Sequence, residues 1–154
     1  MKNLLKIKKK LTSNWFKFLQ IETVNQFQAI ENNYCKENDL KIKKFIRRNW
    51  KKEKSTEGGG TSYILTNGSI FEKVGVNFSI VSGIFEKSFR SKILGAQKNG
   101  RYWASGISVV AHMRNPKIPA LHFNTRFIST SKEWFGGGMD ATPSHEDKKE
   151  SKLI

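Results

Sequence analysis

Ser108, His112, His122, Asn124, Arg126 and Asp140 fall within residues 105–143 of the 154-residue chain, in a stretch that is otherwise apolar and rich in strand formers. Their types matter. A guanidinium offers a planar fork of donors to a carboxylate, a carboxamide and a hydroxyl add directional bonds, and an imidazole exchanges protons near neutral pH. Two apolar runs, Gly106–His112 and Leu121–Ile128, are separated by the sequence RNPKIP, whose prolines forbid a continuing helix or central strand. The pattern predicts two antiparallel strands joined by a turn. Side chains alternate between faces along a strand, and Ser108, Val110, His112, His122, Asn124 and Arg126 are all even-numbered, whereas Ile107, Val109, Ala111, Leu121, Phe123 and Phe127 are all odd. A turn centred near Lys117 would set His112 opposite His122 and Ser108 opposite Arg126, giving one apolar face and one bearing chemistry.

The plain alternative is a sheet with one wet face, which shows the same alternation. Such faces favour Lys, Glu and Thr. This chain has lysine in plenty, yet here it places two of its three histidines.

Stepping outward along the chain, residues from about Thr12 to Asn33 read as a helix, with Thr12 or Ser13 as cap and Trp15, Phe16, Leu19, Phe27 and Ile30 at helical spacing. An amphipathic stretch of this kind more often packs on a sheet than on a membrane. Residues 34–54 are strongly basic and mixed in character, with Leu40, Ile42, Phe45, Ile46 and Trp50. Gly58-Gly59-Gly60 marks a flexible joint. Asn67-Gly68 lies between alternating apolar runs and predicts a type I′ hairpin turn between strands at about Thr61–Thr66 and Ser69–Val81. Residues 83–100 form a connection in which Phe85, Phe89, Ile93 and Leu94 suggest a short helix. The expected fold class is α+β, a largely antiparallel sheet flanked by helices. The expected organisation is a basic tail at 1–11, one domain at 12–143 and a polar, frayed tail at 144–154.

A hydrophobic content of 37%, with eleven Phe and four Trp, is enough for a core. No apolar run approaches the ~20 residues that span a bilayer, and the start lacks the features of a secretory signal. The single cysteine, Cys35, excludes an internal disulfide framework and a metal quartet, and the default compartment is the cytoplasm. The net charge of +15 invites a polyanionic partner, but residues 1–54 carry 15 of the 28 basic side chains against 5 of the 13 acidic ones. The charge excess therefore belongs mostly to the amino-terminal third, and it does not choose between nucleic acid, membrane surface and a small polyanion.

Several site types fail on spacing. Neither GGGTS nor FGGGMD matches a phosphate-binding loop in a strand-to-helix setting. His112 and His122, ten residues apart, carry no ligand signature, although two facing imidazoles bind a divalent metal where a third ligand stands near. No histidine is tied to Cys35 as a nucleophile's partner. An RNA platform needs aromatics among the basic residues, and Phe123 and Phe127 sit on the other face of the hairpin, so no nucleic-acid partner is expected.

Trp50 followed by EGGGTSYIL, NGSIFEKVGVNFSIVSG, ASGISVVAHMRNPKIPALHFNTRF and EWFGGGMDATP, in that order, resembles the oxygen-dependent coproporphyrinogen III oxidases of haem biosynthesis, in their amino-terminal half. The resemblance is dense from Trp50 to Pro143. It implies oxidative decarboxylation of two propionates of coproporphyrinogen III to vinyls, giving protoporphyrinogen IX, with O₂ as co-substrate, no organic cofactor and a divalent metal possible. It assigns His122 as proton donor, Asp140 as acceptor for pyrrole N–H groups, Ser108, Asn124, Thr125 and Arg126 to substrate carboxylates, and His112 with His122 to any metal. The family forms homodimers. Departures are Met113 for a usual proline, Glu133 for a usual tryptophan, and a glycine run at 58–60 one residue short. Family chains are roughly twice as long, so the resemblance also leaves room for a silent fragment or one half of a split enzyme. The end, SHEDKKESKLI, does not look like the family's continuation.

Overall fold

The computed structural model describes residues 2–53 and 57–144. One long helix, α1 (Lys2–Glu37), lies against one face of a six-stranded sheet. The strands are β1 (Ile46–Lys51), β2 (Gly58–Thr66), β3 (Phe71–Ile84), β4 (Arg101–Met113), β5 (Ala120–Ser129) and β6 (Glu133–Thr142). A four-residue helix, α2 (Lys87–Arg90), lies between β3 and β4. Each strand pairs antiparallel with the next in sequence, so the sheet is a simple meander and the class is α+β, as expected.

The helix begins ten residues earlier than its capping signals suggested, and residues 2–11 are its first turns rather than a tail. No Gly or Pro interrupts 2–37, and lysine is a good helix former. Thr12 and Ser13 do not cap. Their hydroxyls donate back to the carbonyls of Lys8 (2.8 Å) and Lys9 (2.7 Å), a bond open to such side chains inside a helix. The helix ends where Asp39 takes positive φ and the Leu40 N–H returns to the Cys35 carbonyl at 2.8 Å.

Ser13, Phe16, Gln20, Val24, Glu31 and Cys35 form the buried stripe of α1. Positions 13, 24 and 35, and 20 and 31, repeat every eleven residues, close to the pitch of a straight helix. Trp15 and Ile30, expected to pack, point outward. Phe16 and Val24 join Leu65, Val74, Val76, Phe78, Ile107, Val109, Ala111 and Phe127 in the core. The polar members of the stripe are satisfied by the sheet. Gln20 Nε2 donates to the carbonyls of Thr61 (2.7 Å) and Val76 (2.9 Å), and the Glu31 carboxylate accepts the N–H groups of Ser69, Ile70 and Phe71. Lys9 lies over the Trp103 ring, and burial pulls its pKa below the usual lysine value against the opposing pull of Glu133.

Two turn expectations are corrected. At Asn67-Gly68 only Asn67 has positive φ, so the turn is not type I′. Gly68 N–H bonds the Phe71 carbonyl at 2.9 Å, which moves the tip to Ser69–Ile70, where Glu31 collects the free N–H groups. The triple glycine is no joint either. Gly58–Gly60 open strand β2, and a Cβ on Gly59 or Gly60 would run into the carbonyl of Trp50 or Phe78 on the flanking strands. Residues 145–154 of the expected polar tail lie outside the described residues.

Candidate functional site

Strand alternation sends Val74, Val76, Phe78, Ile107, Val109, Ala111 and Phe127 under α1. Their neighbours in sequence project from the opposite face. On β4 and β5 these are Ser108, Val110, His112, His122, Asn124 and Arg126, so the even-numbered set does share one face. The register within that set is shifted. Ser108 lies opposite Asn124 and Val110 opposite His122, two residues away from the expected pairing. The cause is the turn. Asn115 Oδ1 accepts the Lys117 N–H at 3.0 Å and the Ile118 N–H returns to the Asn115 carbonyl, which centres the loop nearer Pro116 than Lys117. A slip of two preserves faces, whereas a slip of one would have inverted them.

The glycine run at 136–138 continues into strand β6, which carries Asp140 opposite His122. His122 Nδ1 lies 3.0 Å from Asp140 Oδ1, and Asp140 Oδ2 accepts the Thr142 hydroxyl at 3.2 Å. Both side chains remain partly open to solvent, at 40% and 58% exposure. Asp140 is therefore not a loop carboxylate capping backbone N–H groups: each oxygen has one side-chain partner, and at 58% exposure lone pairs remain open to further donors. Beside this pair, Arg126 Nη2 donates to Asn124 Oδ1 at 3.0 Å, which turns the guanidinium along the strand and leaves its other donors free to meet a ligand.

Thr125 does not join the set. It is odd-numbered, pairs with Ile107 and Gly137, and lies on the α1 side between Phe123 and Phe127. His112 shares the face but not the cluster. Its strand partner is Lys73, while His122 faces Val110, so the two imidazoles are not opposed. Among the described residues no group of three or more His, Cys, Asp or Glu side chains comes together. A cation beside His112 and a single carboxylate at His122 do not fit a divalent ion.

Residues the sequence reading passed over complete the face. Arg48, Ser62, Asn77, Ser108 and Asn124 form one polar row across β1–β5. The next row runs Trp50, Gly60, Ser79, Gly106, Arg126 and Gly136. The period-two test that found β4 and β5 would have found Asn77 and Ser79 in GVNFSIV, where polar and apolar residues also alternate. The small residues leave a shallow trough floored by Gly106 and Ser79, with Trp50 and Arg126 among its walls. At Gly106 no larger residue fits, because a Cβ would strike the Thr125 carbonyl of β5. The trough holds about 220 Å³, below the ~300–1,000 Å³ of a site that encloses a ligand. A second hollow of about 260 Å³, lined by Lys73, Asn77, Val110 and His112 among others, adjoins it. Together the two hollows make the face shallow and broad rather than enclosed.

The fold and this face define an α+β protein with an antiparallel sheet, one side packed on a helix and the other bearing serine, asparagine, histidine, arginine and aspartate side chains. Comparison with known proteins agrees. The sequence profile described as Coproporphyrinogen III oxidase matches residues 12–153. The chain is 50% identical over 144 residues to the oxygen-dependent coproporphyrinogen-III oxidases of Rickettsia typhi and Rickettsia prowazekii, and 47% identical over 143 residues to that of Rickettsia bellii. Each match covers 93% of this chain and 50% of the relative. The chain belongs to the coproporphyrinogen III oxidase family, and it spans about half the length of the curated relatives it matches. The profile match runs to residue 153, into the stretch expected to depart from the family.

Proposed function

We propose that this chain supplies the substrate-binding sheet of an oxygen-dependent coproporphyrinogen III oxidase. The observation that carries the reading is that Ser108, His122, Asn124, Arg126 and Asp140 lie together on the face of the sheet turned away from α1. A porphyrinogen bearing four carboxylates needs cationic and polar donors spread over a broad floor, and the two rows provide that. In this reading Arg126 grips one propionate with its free donors, Asn124 fixes the guanidinium plane, and Ser108, directly across from Asn124, adds a hydroxyl. His122 Nδ1 is held by Asp140, which leaves Nε2 to exchange a proton with the substrate while the carboxylate steadies the imidazolium. Each propionate loses CO₂ and a hydride equivalent, two electrons that O₂ accepts. No step is assigned to a metal, and Thr125 is given no role. Localisation in the cytoplasm and a homodimeric assembly belong to the same proposal.

The test is to co-express this chain with the carboxy-terminal half of the Rickettsia typhi relative and follow protoporphyrin fluorescence from coproporphyrinogen III under O₂. Turnover is expected. Arg126→Lys should raise KM about tenfold, since a point charge cannot reproduce the fork, and Lys117→Ala on the loop should leave it unchanged. Equal KM in both variants would count against the assignment.

A further inference from the structure

The outer side of α1, opposite the stripe that holds the sheet, is apolar as well. Leu4, Ile7, Leu11, Trp15 and Phe18 are 57%, 49%, 63%, 54% and 55% exposed. At 3.6 residues per turn they fall within an arc of about 80° and form a ridge about 21 Å long. Trp15 and Phe18 touch, with ring centroids 5.7 Å apart. Lys8, paired to Glu133 at 2.7 Å, borders the ridge on one side and Lys10 and Lys17 on the other, with Lys6 and Lys9 further round, and the first 21 residues contain no Asp or Glu. A ridge of leucine, isoleucine and aromatics between lysines is the pattern of a helix lying in a lipid headgroup layer.

We propose that the outer face of α1 is a peripheral membrane-binding surface, laying Leu4, Ile7, Leu11, Trp15 and Phe18 into an anionic phospholipid bilayer while the flanking lysines engage phosphates. Charge selects the occupant. A second copy docked on this ridge would bring two lysine-rich helix ends together, and Glu133, the carboxylate beside them, is already taken by Lys8 of its own chain at 2.7 Å. An anionic lipid surface complements the lysines and conforms to a convex apolar ridge, which a preformed protein surface does only with a matching groove. The attachment lies along the surface and does not span it, since among the described residues no helix is long and apolar enough to cross. The lysine stems reach from the flanks of the helix towards the headgroups. The polar face of the sheet then looks away from the bilayer, so this proposal stands apart from the chemistry proposed there.

Vesicle flotation tests it, because aggregated protein sinks while bound protein rises with lipid. The full chain should float with phosphatidylcholine vesicles containing phosphatidylglycerol, far less with phosphatidylcholine alone, and should be released by high salt. The double variant Leu11→Ser, Trp15→Ser should lower the partition coefficient roughly 100-fold, about tenfold for each apolar side chain no longer buried. Lys10→Glu with Lys17→Glu should abolish the preference for anionic lipid, and Ile118→Ser, at an exposed apolar site remote from α1, should change nothing. Circular dichroism confirms that the variants, all at exposed positions, stay folded. Failure to float, equal flotation of wild type and Leu11→Ser, Trp15→Ser, or equal binding to neutral vesicles would overturn the proposal. So would light scattering that shows the double variant dissolving an oligomer while vesicle binding is unchanged, which would assign the ridge to a second copy.

Discussion

His122 has one ring nitrogen committed to Asp140 and one free, and Asp140 has both oxygens engaged, by His122 and Thr142. That division makes Asp140 a positioning residue in the proposed reaction, acting through the imidazole. In the completed enzyme His122→Asn should lower kcat by about 10²–10⁴, whereas Asp140→Asn, which leaves the imidazole in place but less firmly held, should cost about tenfold in kcat with KM unchanged. An unchanged kcat would reduce Asp140 to a structural bond. A second residue-scale expectation lies on the covered face. Ser105 is 1% exposed, and its hydroxyl has no hydrogen-bond partner among the described residues. A buried, unpaired hydroxyl costs free energy that alanine does not, so Ser105→Ala should raise stability by about 1 kcal/mol in urea denaturation. A loss of stability would mean the oxygen has a partner.

At the scale of elements, Glu31 couples α1 to the β2–β3 turn. It is fully buried and receives three successive backbone N–H groups, so one carboxylate seats both the helix and the turn. Glu31→Ala would orphan three donors and should cost about 3 kcal/mol or more, while Glu31→Gln, which keeps one acceptor oxygen but aims an N–H₂ at a donor, should cost less. Equal midpoints for wild type and Glu31→Ala in chemical denaturation would refute that role. The same elements show what could be read from sequence. The β4–β5 hairpin was legible because apolar and polar residues alternate there with few exceptions, Val110 and Thr125 among them, and a two-residue slip does not disturb which face they share. Its register was not, because it depends on how Asn115 folds the loop. Strand β6 was hidden by its glycines, which carry no strand propensity; at Gly137 a Cβ would strike the Asn124 carbonyl of β5. The start of α1 was hidden by lysines, which read as a solvated tail and are equally good helix formers. Thr125 falls on the other face from Asn124 and Arg126 because a strand sends neighbours to opposite faces, whereas a family motif names consecutive residues. Glu31 and Gln20 gave no signal at all, since their partners are backbone groups more than 35 positions away.

At the scale of the whole molecule, α1 shields only one face of the six-stranded sheet, and both edge strands, β1 and β6, have a side with no described strand. Along the open face Ile46 is 59% exposed and Trp50 37%. Surfaces of this extent favour association. The trough at Arg126 is shallow, walled only by side chains of the sheet's own face such as Trp50. A ligand resting on it would keep water around its propionates, and neither the orientation of a four-carboxylate ring nor the exclusion of water needed for the redox step is secured by one face alone. The relatives have as much chain again with which to build walls. The 154-residue polypeptide expressed by itself should therefore sediment as oligomers in neutral lipid-free buffer and give negligible protoporphyrin from coproporphyrinogen III, even where it binds the tetracarboxylate. Adding the carboxy-terminal half of a relative should shift it to a discrete complex and raise turnover together. Sustained turnover by monodisperse isolated chain, followed by protoporphyrin fluorescence alongside analytical ultracentrifugation, would show that the open face needs no cover and that the sheet is sufficient for the chemistry.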